Sequence, residues 1–188
     1  MEREVQRTSR WPETPALRMR DADGTAPVVA AMATRLDDGG PAGALEFLNA
    51  RTRYRFTAIY RADPPFLRNI FLYDRENPAL TLTSGAVTAI DDTYCGIVLA
   101  NEAEFGTSDS ALDARLAAHP ARASVISYAG VPLRLGSGRP WGTLCHFDAR
   151  PRLLLGAELA ILHAAAPVLM RWLREHTPSL DSAVAAGA

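Results

Sequence analysis

The chemistry open to this chain rests on two thiols, one strand imidazole, three tyrosines and a pair of adjacent aspartates. Cys95 and Cys145 are its only cysteines and lack the spacing of a metal-ligand set. Cys95 falls near the start of a predicted short helix, Thr93 to Ala100, where backbone N–H groups favour a thiolate, whereas Asp91 and Asp92 just before it oppose one. The same N–H groups suit an anionic ligand, but those aspartates supply negative charge and a predicted cap there. Tyr60, Tyr94, Cys95 and Tyr128 have the mixed aromatic and polar character of a small-molecule pocket wall, and each taken singly suits an ordinary core equally well. His146 follows Cys145, and its imidazole either meets a ligand or is satisfied by Asp148 or a backbone carbonyl. No Ser-His-Asp order, phosphate-binding glycine loop or metal cluster is present, so the sequence offers no catalytic machinery and the expectation is a protein that is not an enzyme.

These residues need a sheet and helices to bring them together. From Ser127 to Arg152 the chain reads as two strands and a turn. Ala129, Val131, Leu133 and Leu135 alternate with more polar positions, Gly136-Ser137-Gly138 turns, and Trp141, Thr143, Cys145 and Phe147 alternate again. By that alternation Leu144, His146 and Asp148 face away from Cys145 and Phe147, and Cys145 shares a face with Trp141. Tyr54, Phe56, Ala58 and Tyr60 predict an earlier strand, Asp63-Pro64-Pro65 a turn, and Leu67 to Tyr73 a second strand. A further strand is expected near Leu80 to Thr83. Ser110 and Asp113 resemble a capping box for a short helix ending at His119-Pro120.

Helical elements flank this region. Val28, Val29, Met32 and Leu36 predict an opening helix, Gly39-Gly40 a break, and Pro41 a second helix carrying Leu45 and Leu48. At the other end, Leu155, Leu159, Leu162, Ala166, Leu169 and Leu173 form one stripe and Ile161, Ala165, Val168 and Trp172 another. The first suits the sheet; the second suits the opening helix or a second copy of the chain. Pro167 predicts a kink.

Composition bounds the rest. With 188 residues and 48% hydrophobic content, one domain with a sizeable core is expected over 27–176, with extensions at 1–26 and 177–188. All 20 basic residues are arginine, they are scattered, and the formal net charge is -1, so a nucleic-acid partner is not expected. The longest apolar run, around Leu159 to Leu173, is interrupted by His163, Pro167 and Arg171 and does not suit a membrane span. Reduced cysteines and no charged leader before an apolar segment fit a cytoplasmic protein.

Gly130-Val131-Pro132-Leu133, Gly142-Thr143-Leu144-Cys145 and Asp92-Thr93-Tyr94-Cys95, in the order helix, strands, loops and short helices, hairpin and closing helix, resemble a GAF domain, a family of sensory modules. The resemblance spans about Pro27 to His176. It implies an α+β fold: an antiparallel sheet with the terminal helices on one face and, on the other, a ligand pocket closed by short helices and loops. It implies a small-molecule ligand at Tyr60, Asp92, Tyr94, Cys95, Tyr128, His146 and Asp148, with His146 on the ligand side as in phytochromes; the ligand and any cofactor are unknown. A homodimer through the terminal helices and a signalling partner protein are expected with it.

The same resemblance raises other chemistries. Free methionine sulfoxide reductases of this fold carry a cysteine beside the pocket helix, as Cys95 does, but place the attacking cysteine in the loop that corresponds to Ala121 to Val125, where this chain has none. With Cys145 expected on the face of Trp141 and Phe147, an accessible partner thiol for Cys95 is missing. Covalent bilin attachment is not expected, since Cys145-His146 lies within a strand. Cyclic-nucleotide-binding relatives carry an acid and lysine pattern, and this chain has no lysine. A module with a filled pocket that only dimerises or docks is the remaining alternative.

Overall fold

The computed structural model describes residues 22–79 and 86–176. The strand expected near Leu80 to Thr83 lies outside them, as do residues 1–21 and the tail from 177. Helix α1 (Ala22–Ala50) starts earlier than the hydrophobic spacing suggests and takes in the end of the expected extension. Its break is where the two glycines stand: Gly40 has φ of 62°, a backbone conformation that costs a glycine little, and the chain resumes its helix at Pro41.

Strands β1 (Phe56–Asp63) and β2 (Phe66–Asp74) form the first hairpin, and β3 (Val87–Ala89) pairs with the outer side of β2. Helix α2 (Tyr94–Asn101) follows the single-turn helix Ile90–Asp92. Strand β4 (Phe105–Thr107), too short to register as alternation, leads to the single-turn helices Ala114–Leu116 and Pro120–Ala123. These replace the one helix expected after Ser110: Asp113, not Ser110, caps the first turn, and Ser110 donates instead to the carbonyl of Arg122. Strands β5 (Ser127–Arg134) and β6 (Pro140–Asp148) form the second hairpin, and α3 (Gly156–His176) closes the fold.

The six strands form one antiparallel sheet in the order β3-β2-β1-β6-β5-β4. This is the expected α+β architecture. On one face, Met32, Leu36, Leu45 and Leu48 of α1 and Leu159, Leu162, Leu169 and Leu173 of α3 pack on Ile59, Val131 and Leu144. On the other, Tyr94, Ile97 and Val98 of α2 pack with Phe105, Leu116, Ala58, Tyr128 and Cys145. The first stripe of α3 is therefore buried except for exposed Leu155. In the second stripe Ala165 is buried, while Ile161, Val168 and Trp172 remain partly exposed; the Trp172 ring lies against the break at Gly40. Helix α3 continues as one helix through exposed Pro167.

Candidate functional site

The face that each strand residue presents decides the site. In β6, Cys145 pairs with Ala58 of β1 and Gly130 of β5, while Leu144 pairs with Ile59 and Val131, so cross-strand partners share a face. The Cys145 set meets α2 and the Leu144 set meets the terminal helices. The expected alternation fails at one point. Leu133 pairs with Gly142 and Arg134 with Pro140, which leaves Trp141 in a bulge, and its ring joins the helix-side cluster rather than sharing the face of Cys145.

His146 accordingly faces the terminal helices, not the ligand side. It is 2% exposed, stacks on Tyr54 at 5.7 Å, and its Nδ1 lies 2.7 Å from the Thr57 hydroxyl. Burial, with a contribution from Arg75, pushes its pKa down to about 3, so the imidazole is neutral at physiological pH. Asp148 is also removed from the ligand face. Its carboxylate accepts from the backbone N–H groups of Arg55 and Arg150, each at 3.0 Å, and from Arg152 Nε at 2.7 Å, which ties the end of β6 to the start of β1. Both side chains are structural because the strand register, not proximity in sequence to Cys145, assigns their faces.

The other five expected residues come together. Tyr60, Asp92, Tyr94, Cys95 and Tyr128 line one cavity of about 210 Å³ on the α2 side of the sheet, joined by Cys145 and Phe147 of β6. Tyr94 is positioned by α2, whose first turn is capped by the Thr93 hydroxyl accepting from Gly96 N–H at 3.3 Å; Asp91 and Asp92 do not serve as the cap. The Tyr94 ring meets Tyr128 edge-on at 5.6 Å and His119 at 4.6 Å. Burial raises the phenol pKa of Tyr60, Tyr94 and Tyr128, so all three present neutral hydroxyls. Asp92, exposed at the rim, is the only charged residue among the described lining residues.

Cys95 and Cys145 meet in this wall. Both are free and buried, both line the cavity, and each thiol influences the titration of the other. The Tyr128 hydroxyl lies 3.3 Å from Cys95 Sγ. Burial pushes the Cys95 thiol up, but the polar groups around its sulfur, the Tyr128 hydroxyl among them, outweigh it and leave its pKa below the ordinary value. Burial and the neighbouring Cys95 sulfur hold Cys145 well above it. A partner thiol for Cys95 is thus present, contrary to expectation. The sequence assigned Cys145 to the face of Trp141 and had no signal for the bulge that separates them.

Tyr128 reaches Cys95 because residue 130 is glycine. A Cβ on Gly130 would stand 2.2 Å from the Tyr128 hydroxyl oxygen, so the ring lies back along its own strand over the bare backbone.

A pocketed antiparallel sheet carrying two terminal helices on its far face defines a class of α+β regulatory module. The GAF domain family matches residues 42–171, and the chain belongs to that family. Among solved structures, the GAF domain from the Acinetobacter phosphoenolpyruvate-protein phosphotransferase superposes with a TM-score of 0.65 at 12% identity, covering 87% of this chain and 99% of that one. The free methionine-R-sulfoxide reductase of Neisseria meningitidis, solved with its substrate, gives 0.63 at 16% identity over 87% and 98% of the two chains. The chromophore-binding domain of a bacteriophytochrome from R. palustris gives 0.59 at 12% identity over 87% and 64%. At such identities the likeness is one of fold. A search among curated proteins gave no match. No helix among the described residues is long and apolar enough to cross a membrane.

Proposed function

We propose that the chain is a small-molecule-binding sensory module in signal transduction whose ligand, uncharged or singly cationic, sits in the cavity between α2 and the sheet. One observation carries this reading: a cavity of about 210 Å³ walled by Tyr60, Tyr94, Cys95, Tyr128 and Phe147 has Asp92 as its sole charged described lining residue. Aromatic walls with a few polar groups suit a compact organic ligand, and an anion would find no countercharge there. In this reading the protein is a homodimer through α1 and α3, using the part-exposed Ile161, Val168 and Trp172, and passes its signal to a partner protein. Strand β5 supports such coupling, since it presents Tyr128 to the cavity and Ala129 and Val131 to the helical layer. Native mass spectrometry of the protein purified without added ligand, against its denatured mass, tests cargo and oligomer together. A non-covalent adduct on a dimer is expected; a bare chain that no compound stabilises overturns the reading in favour of a module that only docks or dimerises.

A second reading, an enzyme of the free methionine sulfoxide reductase type using Cys95, is favoured by the Cys145 thiol beside it. It ranks second because the carboxylate of a free amino acid meets no cation among the described lining residues. Thiol-dependent turnover of free methionine sulfoxide that disappears in Cys95→Ser is its expected signature, and turnover that survives the substitution removes it.

A further inference from the structure

Cys95 and Cys145 belong to different layers, α2 and β6, yet they pack in one cluster around Tyr128 and both border the cavity. Holding a ligand does not require two thiols in contact. Asp92 also lines the cavity, but among the described residues no three His, Cys, Asp or Glu side chains are grouped so as to hold a metal ion. The pair is therefore arranged for chemistry between its own two sulfurs.

We propose that Cys95 and Cys145 form a redox-active dithiol that reduces small neutral hydroperoxides entering the cavity and closes to an intramolecular Cys95–Cys145 disulfide. The size and charge of the site select the oxidant. About 210 Å³ admits a hydroperoxide with a small organic group and excludes a peptide disulfide, and Asp92 at the rim repels anionic oxidants.

Cys95 is the attacking sulfur, because the Tyr128 hydroxyl lies 3.3 Å from it, whereas burial and the neighbouring sulfur hold the Cys145 thiol well above its ordinary pKa. Its thiolate attacks one peroxide oxygen; an S–O bond forms, the O–O bond breaks, and the departing oxygen takes a proton to leave as alcohol or water. Cys95 is thereby oxidised by two electrons to a sulfenic acid. The Cys145 sulfur then attacks Cys95 sulfur, the S–S bond forms, the S–O bond breaks, and the Cys145 proton leaves with the hydroxyl as water. Two thiols and one hydroperoxide give one disulfide, one alcohol and one water. A cellular thiol reductant restores the pair by exchange.

The inference rests on the reading of this cavity as open to small molecules, not on the identity of a ligand. The test treats the full-length reduced protein with hydrogen peroxide and with an alkyl hydroperoxide, then unfolds it and alkylates the remaining thiols. Loss of both alkylation sites, a Cys95–Cys145 cross-linked peptide and recovery with dithiothreitol are expected. Cys145→Ser should abolish the cross-link and leave Cys95 as a sulfenic acid trapped by dimedone, while Cys95→Ser should leave Cys145 unoxidised over the same period. Two free thiols after exposure that fully oxidises free cysteine would overturn the inference, and so would a cross-link only between chains. Thiol counting needs no ligand, so a reduced protein that carries a cargo but never forms the bond overturns this inference alone and leaves the sensory reading standing.

Discussion

The Cys95 sulfur on α2 lies 3.3 Å from the Tyr128 hydroxyl on β5, a contact that ties the pocket helix to the sheet at the wall of the cavity. Tyr128 is fully embedded, so this hydroxyl has Cys95 and its neighbouring thiol as its partners. The contact joins the chemistry of the site to its architecture, and its consequences are measurable.

Tyr128→Phe keeps the ring and removes the donor. Stability should fall by about 1 kcal/mol, the worth of one hydrogen bond. The Cys95 thiol should shift to higher pKa, because the hydroxyl that favours its charged form is gone. Alkylation of Cys95 across a pH series checks it: the midpoint should move up relative to the parent protein.

Gly130→Ala should disturb the same contact from the other side. The new methyl would collide with the Tyr128 ring, whose atoms stand 2.2 to 2.7 Å from the position it would take. A loss of roughly 1–3 kcal/mol in chemical denaturation is expected for such overpacking. Ala129→Gly, next to it on the helix face, should leave Cys95 alkylation unchanged even where it lowers stability.

His146 gives the fold a pH dependence with a definite sign. Its folded pKa of about 3 lies below the ordinary value of 6.5, so between those values the unfolded chain binds a proton that the folded chain does not. The stability it contributes is fully present above pH 6.5 and is lost as pH falls towards 3, by at most about 1.4 kcal/mol per pH unit. His146→Gln should flatten the stability profile between pH 6 and pH 4 (roughly the window in which the imidazole titrates on unfolding), measured by denaturant midpoint.

Asp148 and Asp92 separate structure from site. Asp148→Ala strands the donors of Arg55, Arg150 and Arg152 and should cost roughly 3 kcal/mol, with no direct change to the cavity wall. Asp92→Asn at the exposed rim should change stability by about 0.5 kcal/mol or less. It should weaken binding of a cationic probe relative to its neutral analogue, measured by calorimetry against the parent protein.

Much of the architecture was legible in local pattern. Alternation around Tyr54 to Tyr60 and from Ser127 to Phe147 located the central strands, Gly39-Gly40 the break in α1, and the leucine spacing the buried stripe of α3. Tyr60, Asp92, Tyr94, Cys95 and Tyr128, named from residue type and resemblance, line one cavity. Strand β4 and the two single turns after it were not legible. Three or four residues carry too little periodicity, and their partners lie elsewhere in the chain.

Sequence by itself therefore determined the longer strands and the terminal helices, because alternation and helical spacing record the burial of one face by each of these segments. It also determined the chemical types available: two thiols, phenols, and no lysine. Tertiary structure alone decided which sheet face each side chain serves. A single bulged residue, Trp141, shifts one ring to the helical layer while Cys145 stays with α2, and the β1–β6 register turns His146 towards Thr57. A period of two assigns side chains to two faces but cannot say which face is the pocket; that is fixed only when the helices pack, and with it the meeting of Cys95 and Cys145.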